Sequence, residues 1–374
     1  MGDEKSYYEA KVTLNDGSQL DRVMEQTTNQ LKTRMLGAAG PDVSTFGLGT
    51  MTFGVETDEA GAFEQLDRFV ERGGTFVDTA DVYGDGESER LIGHWLADRN
   101  GRDRIVLSTK GRFSPPDGVP GASRRSIEHS VTASLQRLGV DAIDVYFVHG
   151  WDQDTPVDET LDALTGLVRA GHIRHVGWSN VTGWQLQRVV STARLGGFVV
   201  PVALQPQYNL LDRGSEWELI PCCLEEHLGV TPWSPLGGGW LTGKYRRDEH
   251  PSGATRLGDD PSRGVEACDV RNDDRTWRIL DVVRAIADRH GRPMSHVALA
   301  WLTSRPSVTS VLLGARTTEQ LTDNLAAADL VLDDGDLDEL TRVSATGLPP
   351  YPYGMVEEFC DVAHWRFLGT RGEV

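Results

Sequence analysis

The chain has 374 residues, of which 39% are hydrophobic and 25% charged, so it contains enough apolar material for a sizeable folded core. Its formal net charge of −19 disfavours nucleic acid and anionic membrane surfaces as partners. The four cysteines have no Cys-x-x-Cys spacing, and no run of 18 apolar residues or secretory leader is present, so we expect a cytoplasmic protein without a zinc site or disulfide framework.

The first segment, residues 1–33, carries scattered charges and amides without a sustained hydrophobic period. We therefore predict an N-terminal extension that is flexible or docked on the surface, and we assign it no chemistry. No shift in composition marks a second domain after it. Residues 34–346 are predicted to form one domain, and residues 347–374 a C-terminal tail near its functional face.

Short apolar runs alternate with amphipathic stretches from residue 44 onward, which is typical of a parallel sheet covered by helices. The eight predicted strands are Ser44–Leu48, Thr75–Asp78, Ile105–Ser108, Ile143–Val148, Ile173–Gly177, Val202–Leu204, Val230–Trp233 and Val308–Leu313. The predicted helices include Glu59–Glu71, Ser88–Asp98, Arg125–Leu138, Val157–Arg169, Trp184–Leu195 and Thr318–Leu330. Eight strand-helix units predict a single α/β domain, a (β/α)8 TIM barrel.

Two stretches interrupt this alternation, Pro235–Asp274 and the tail from Leu348 onward. In (β/α)8 barrels the chemistry lies at the carboxyl ends of the strands, where long insertions usually act as lids or ligand clamps. We expect the first stretch to have such a role. The aromatic tail could fold across the barrel mouth or pack on the outer helices, and the sequence favours neither.

Polar residues follow three consecutive predicted strands. Asp78, Lys110 and His149 each terminate an apolar run, and Tyr83 lies on the loop after Asp78. One such residue alone is more often a structural ion pair than a catalyst. Consecutive strands of a barrel are neighbours, however, so the four side chains would meet around one opening and form a site for proton transfer.

The chemistry of these residue types fits that task. A free phenol has a pKa near 10, and an adjacent ammonium group such as that of Lys110 lowers it by stabilising the phenolate. Asp78 would balance the buried charge of Lys110, and His149 would orient a substrate oxygen. A barrel hydrolase would instead require a metal cluster or paired carboxylates, and the strand ends supply neither.

An ordered series of short motifs extends along most of the chain. It comprises Gly47-Leu48-Gly49-Thr50, Asp78-Thr79-Ala80, Tyr83-Gly84, Ser108-Thr109-Lys110, Val148-His149, Gly177-Trp178-Ser179-Asn180, Gln205 to Asn209, Trp233-Ser234-Pro235-Leu236 and Gly243-Lys244-Tyr245. In this series the chain resembles the aldo-keto reductase superfamily, in the branch of bacterial reductases and potassium-channel β subunits. The resemblance implies a catalytic tetrad of Asp78, Tyr83, Lys110 and His149, and direct hydride transfer from a nicotinamide without a metal.

The same resemblance implies a site for NADPH/NADP⁺. Ser179, Asn180 and Gln205 would hold the carboxamide, and Tyr208 would stack on the nicotinamide ring. The other implied cofactor residues are Trp233, Ser234, Pro235, Leu236, Gly238, Lys244, Gly314, Arg316, Gln320 and Asn324. Arg316 lies where a helix begins and could clamp a 2′-phosphate, or it could be an ordinary surface arginine. Similarly, Gln205 could merely fix a loop, and the glycines after Leu236 could be a hinge.

The substrate pocket is predicted from aromatic residues on or beside the mouth loops, some of which could instead be core. They are Phe53, Phe113, Trp151, Trp178 and Trp240. The sequence thus predicts NADPH-dependent reduction of an aldehyde or ketone, with a keto sugar or a secondary-metabolite carbonyl as candidate substrates. The alternative is a regulatory subunit that binds the cofactor and senses redox state. Nothing in the sequence predicts the oligomeric state.

Overall fold

The computed structural model describes residues 30–113, 118–253, 255–259, 264–347 and 349–360. The predicted N-terminal extension, up to residue 29, lies outside the described residues. So do residue 348 and residues 361–374 of the predicted tail.

Ten strands and thirteen α-helices are present in the described part of the chain. The strands are β1 (Thr33–Met35), β2 (Asp42–Ser44), β3 (Phe46–Gly49), β4 (Phe76–Asp78), β5 (Val106–Gly111), β6 (Ile143–Val148), β7 (Ile173–Ser179), β8 (Ala203–Gln205), β9 (Gly229–Val230) and β10 (Val311–Gly314). The helices are α1 (Glu59–Glu71), α2 (Glu87–Arg99), α3 (Arg124–Leu138), α4 (Val157–Arg169), α5 (Gly183–Gly196), α6 (Leu219–Glu225), α7 (Arg256–Asp259), α8 (Cys268–Arg271), α9 (Asp274–His290), α10 (Met294–Ser304), α11 (Thr318–Leu325), α12 (Asp334–Ser344) and α13 (Met355–Phe359).

Strands β3 to β10 form one parallel sheet in which each strand pairs with its neighbours in sequence, and β10 returns to pair with β3. A parallel bridge between Val230 and Val308 closes the remaining gap, where the Thr309 amide donates to the Val230 carbonyl at 2.8 Å. The sheet is therefore a closed ring with helices outside. The predicted (β/α)8 barrel is confirmed.

The barrel interior is filled mainly by residues from alternate strands. Phe76, Phe147, Ala203 and Leu312 belong to β4, β6, β8 and β10 and pack in one cluster, as layered barrel interiors require. The hairpin formed by β1 and β2 closes the amino-terminal end of this interior, because its residues Leu36 and Val43 are fully buried in the same cluster.

Gly37, in the turn of this hairpin, has φ of +69°. A Cβ at this position would lie 2.3 Å from the carbonyl oxygen of Val202, so the close approach requires glycine. The hairpin thereby lies directly against the lower ends of the barrel strands.

Several helices begin and end at residues that are suited to capping them. Asp58 accepts a hydrogen bond from the Gly61 amide at the start of α1, and Ser123 accepts one from Ser126 at the start of α3. Helix α3 is capped after Leu138 by Gly139, whose φ of +63° suits a left-handed cap. None of the described helices is both long enough and apolar enough to cross a membrane.

Predicted and observed elements differ mainly at strand ends. Strand β5 continues through Lys110 to Gly111, three residues beyond its predicted end, so Lys110 is part of the sheet. Strand β9 ends at Val230, three residues early, because Pro232 has no amide hydrogen for a ladder. Of the longer helices, α9, α10 and α12 were not among the predicted ones.

Candidate active site

The alternation of side chains along β5 divides its residues between two environments. Ser108 and Lys110 face Asp78 on the neighbouring strand, inside the barrel. Thr109 faces outward, where its hydroxyl donates to Glu89 of α2 at 2.5 Å. The extended strand therefore delivers Lys110 to the barrel interior at its carboxyl end.

Lys110 contacts two other members of the predicted tetrad, Asp78 and Tyr83. Its Nζ lies 2.6 Å from Oδ2 of Asp78, 2.6 Å from the carbonyl oxygen of Thr79 and 3.4 Å from the hydroxyl oxygen of Tyr83. The other oxygen of Asp78 accepts hydrogen bonds from Ser108 at 2.7 Å and Gln205 at 3.1 Å. Lys110 is fully buried and Asp78 is 2% exposed, so each charge is offset within the protein.

The pKa values in this group reflect competition between burial and charge. Burial alone would lower the pKa of Lys110, but Asp78 and Tyr83 raise it above the ordinary value, so the ammonium stays protonated. For Tyr83, burial raises the pKa and Lys110 opposes that rise only in part, so the net direction is upward. The lowering expected from the adjacent ammonium is therefore outweighed by burial. With both effects included, the phenol keeps its proton at neutral pH.

His149 directly follows β6 and lies beside Tyr83, with ring centroids 6.1 Å apart. Burial, followed by the positive charges of Lys110 and Arg112, lowers the pKa of His149 well below its ordinary value. Its Nδ1 is buried and has no hydrogen-bond partner among the described residues. The imidazole is therefore neutral and can offer a hydrogen bond to a polar ligand atom.

A cavity of about 690 Å³ begins at Tyr83 and His149 and extends over the ends of β7 to β10. It is lined by sixteen of the residues predicted from the sequence: Asp78, Tyr83, His149, Ser179, Asn180, Gln205, Trp233, Ser234, Pro235, Leu236, Gly238, Lys244, Gly314, Arg316, Gln320 and Asn324. The structure thus brings the predicted catalytic and cofactor residues, apart from Tyr208 and the buried Lys110, to one continuous surface.

The far end of this cavity is cationic. Lys244, Arg256 and Arg316 all line it, and the pKa of Lys244 is lowered first by burial and then by the two arginines. Arg316 pairs with Glu56 at 3.0 Å, and both side chains belong to the cavity wall. Arg256 was missed in the sequence because it lies in an irregular insertion without a periodic signal.

The first turn of α11 is partly satisfied by its own side chains. Thr317 accepts from the Gln320 amide at 3.3 Å, and Oε1 of Gln320 accepts from the Arg316 amide at 3.0 Å. The predicted anion site at this helix start therefore depends more on the arginine side chain than on free backbone amides.

Tyr208 lies outside the cavity, contrary to the prediction that it stacks on the nicotinamide. Its ring is fully buried, its hydroxyl donates to Glu216 at 2.6 Å, and it packs against Trp301. Because it does not reach the cavity, it cannot stack on a ligand there. Trp233 does line the cavity, and its Nε1 is buried without a hydrogen-bond partner in the described part of the chain.

The predicted aromatic substrate pocket is also only partly present. Phe113 contacts the active site, with its ring 4.7 Å from that of His149. Trp151 is half-buried and packs against the exposed Trp184 at 5.5 Å. Three others are buried away from the cavity lining and are not substrate contacts: Phe53, Trp178 and Trp240. Trp240 instead donates to the carbonyl of Glu266 and packs between Tyr245 and Trp277.

The insertion after β9 is fixed to the cavity wall by Glu266, which is 3% exposed. Its carboxylate accepts from the Ser234 hydroxyl and pairs with Arg256 at 3.0 Å. A Cβ on Gly238, where φ is +65°, would lie 2.6 Å from Glu266. Sequence reasoning missed this carboxylate because a single Glu in an irregular segment carries no pattern.

Two non-glycine residues of the cavity, Asn180 and Ser234, have φ of +52° and +53°. Such conformations are uncommon and tend to occur at functional sites. In Asn180 the turned side chain donates to the carbonyl of His149 at 2.9 Å. The loops after β7 and β9 thus hold strained backbone where they meet the cavity.

The described part of the C-terminal tail lies against the loop before α6. Tyr353 donates to Glu218 at 2.7 Å, and its ring is 6.1 Å from that of Trp217. None of the residues 349–360 lines the cavity. Among the described residues, no group of three or more His, Cys, Asp or Glu side chains could hold a metal ion.

A buried carboxylate next to the site predicts a pH dependence of stability. Asp81 is fully buried; Ser130 donates to one oxygen at 2.8 Å, and the other has no partner within the described ranges. Burial, with a contribution from Glu89, raises the pKa of Asp81 to about 7. The unfolded value is about 3.9, so this group contributes stability that is complete below about pH 4 and lost as the pH rises through about 7.

We therefore expect Asp81→Asn to unfold with a shallower decline in Tm between pH 5 and 8 than the wild type. The difference in slope can reach about 1.4 kcal/mol per pH unit. Thermal unfolding across this range measures it. Asp85→Asn, at an exposed position in the same loop, is the matched control. Parallel Tm curves for Asp81→Asn and the wild type would contradict the prediction.

Comparison with known proteins agrees with this fold. The sequence model of the aldo/keto reductase family matches residues 45–345. An uncharacterized oxidoreductase of Bacillus subtilis, YrpG, is 35% identical over 80% of this chain and 91% of its own length. A norsolorinic acid reductase of Aspergillus flavus is 32% identical, covering 81% and 78% of the two chains. A probable voltage-gated potassium channel subunit beta of Arabidopsis thaliana is 33% identical, covering 79% and 90%. The family and these similarities support an oxidoreductase, and the chain belongs to the aldo/keto reductase family.

Proposed function

We propose that this protein reduces an aldehyde or ketone to an alcohol with NADPH, and that Tyr83 donates the proton. The observation that carries the proposal is the contact of Lys110 with both Asp78 and Tyr83 at the end of the cavity. A protonated phenol next to a compensated cation can release its proton when negative charge develops on a nearby oxygen, because the cation stabilises the resulting phenolate.

The residues of the cavity fit a dinucleotide. A ligand would pass from polar side chains at Ser179, Asn180 and Gln205 to cations at Lys244 and Arg316. We propose that the first group holds the carboxamide and the second the phosphates, since amides suit a carboxamide and cations suit phosphates. Trp233, rather than Tyr208, has the aromatic face available for stacking. When bound, the nicotinamide supplies the hydride.

Side chains of the protein orient the substrate, donate the proton and stabilise the charge that remains. His149, neutral because of its low pKa, orients the carbonyl oxygen by a hydrogen bond. Tyr83 delivers the proton to that oxygen, and Lys110 stabilises the phenolate that remains. Asp78 holds Lys110 in place and keeps it charged.

The preference for NADPH over NADH is attributed to Arg316. We expect Arg316→Gln to raise the Kd for NADPH about 10- to 100-fold, the usual effect of losing a charge-assisted hydrogen bond. The Kd for NADH should change by less than about 3-fold, because NADH has no 2′-phosphate. Titrations followed by protein fluorescence measure both. Arg278→Gln, at an exposed site on α9, serves as control, and equal weakening of both cofactors would refute the assignment.

The substrate is proposed to be a small carbonyl compound, with a keto sugar or a secondary-metabolite ketone as candidates. A panel of such compounds, assayed by the absorbance of the reduced nicotinamide, tests the reaction. Turnover of none of them would contradict a reductase and favour the second function below.

The second candidate is a regulatory subunit that binds the cofactor and reports redox state to a partner. The observation in its favour is the similarity to a relative named as a potassium channel subunit. Tight cofactor binding without turnover on the substrate panel would support it, and multiple-turnover reduction would contradict it.

A further inference from the structure

Arg112 stands at the mouth of the barrel, one residue after the end of β5 and two after Lys110. Its φ of +139° is one that non-glycine residues rarely adopt. The guanidinium carbon lies 5.2 Å from the centroid of the Phe113 ring, and that ring lies 4.7 Å from the ring of His149. The Phe113 ring is therefore close to both Arg112 and His149.

This arginine lacks an acidic partner within the described residues, where no ion pair includes it, and its buried Nε has no hydrogen-bond partner there. Asp152 is the acid on which its charge acts. The oxygens of Asp152 already accept hydrogen bonds from Ala122, Thr155 and Asp154. Within the described part of the chain, the charge of Arg112 is thus offset at a distance by Asp152 but is not taken up by a direct ion pair.

The position of Arg112 separates it from the cofactor groove. The cations proposed for the cofactor phosphates, Lys244 and Arg316, line the cavity on the side of β9 and β10, and Arg112 is absent from that lining. Arg112 lies instead against the ring of Phe113, a residue that is 38% exposed. A ligand whose carbonyl meets Tyr83 and His149 could therefore extend along Phe113 towards Arg112.

We propose that Arg112 binds an anionic group, a carboxylate or a phosphate, on the carbonyl substrate, and so makes the enzyme select aldehydes and ketones that carry one. The proposal rests on the reductase function proposed above. A chain with a net charge of −19 repels anionic substrates unless a local cation attracts them. The planar fork of a guanidinium suits both oxyanions, and Phe113 supplies an apolar surface for the part of the substrate between its two polar ends.

The test compares aldehydes that carry an anionic group with neutral aldehydes of the same ring system. With wild-type protein and NADPH, kcat/KM is measured for 4-carboxybenzaldehyde against 4-formylbenzamide, and for 4-formylphenyl phosphate against 4-methoxybenzaldehyde, which has no ionisable group. We expect at least one anionic compound to be preferred by about 10-fold or more, and the two pairs distinguish carboxylate from phosphate. In Arg112→Met this charged-to-neutral ratio should fall about 10- to 100-fold, and Arg112→Lys should restore part of it.

Arg125→Met, at an exposed position on α3, is the matched control and should leave the ratio unchanged. Wild type without any anionic preference would overturn the proposal, and so would an Arg112→Met variant that loses activity on both members of each pair equally. Each of these results would leave the reductase function intact. If no aldehyde in the set is reduced at all, the proposed function itself fails.

Discussion

Replacing Tyr83 by phenylalanine is expected to lower kcat for carbonyl reduction by about 10²- to 10⁴-fold, the usual contribution of a positioned proton donor. The ring and its packing are retained, and only the hydroxyl near Lys110 is lost. The Kd for NADPH should therefore stay within about 3-fold of the wild type. Single-turnover kinetics and a cofactor titration measure the two quantities separately.

Tyr351→Phe is the matched control for this experiment, because Tyr351 is 77% exposed and contributes nothing to the cavity. It should retain full activity. A Tyr83→Phe variant with wild-type kcat would remove Tyr83 from the role of acid, whatever its effect on cofactor binding.

Replacing Lys110 by methionine should damage both stability and activity. The change leaves the carboxylate of Asp78, 2% exposed, without its counter-charge, and breaking one side of a buried ion pair usually costs about 3–5 kcal/mol. It also removes the cation that limits the upward shift in the pKa of Tyr83. Denaturant unfolding and kcat measure the two effects.

The double variant Asp78→Asn/Lys110→Met separates the two effects. With both charges removed, much of the lost stability should return, while activity should remain low because nothing stabilises the phenolate. Lys32→Met, at an exposed position, controls for the loss of a lysine as such. An unchanged denaturation midpoint in Lys110→Met would contradict the proposed ion-pair energetics.

The sequence predicted the barrel because its signals are local and repeated. Each apolar strand is short and is followed by an amphipathic helix, and strands in such a series can be placed beside one another by chain order alone. The same rule predicted that Asp78, Lys110 and His149 would meet, because each ends a strand whose neighbours are known. The distances of 2.6 Å and 3.4 Å from Lys110 to Asp78 and Tyr83 had to come from coordinates.

The prediction was weaker where the chain leaves regular structure. Tyr208 comes three residues after the end of β8, beyond Pro206, so strand alternation no longer indicates which way its ring points. Trp240 and Glu266 lie in the insertion after β9, and their contacts join residues 26 positions apart. No local period encodes such contacts, and burial of an aromatic ring in a loop is decided by the tertiary packing around it.

Closure of the barrel depends on contacts between distant parts of the chain. Strand β3 must pair with β10, and the Arg34 side chain donates to the Val308 carbonyl at 2.6 Å across 274 positions of the chain. Until the ribosome has released that distant segment, the early strands form an open sheet with a bare edge, which is prone to pairing with other chains. A nascent chain that stalls before residue 311 would therefore be a target for chaperones, whereas the finished ring leaves no parallel edge to associate.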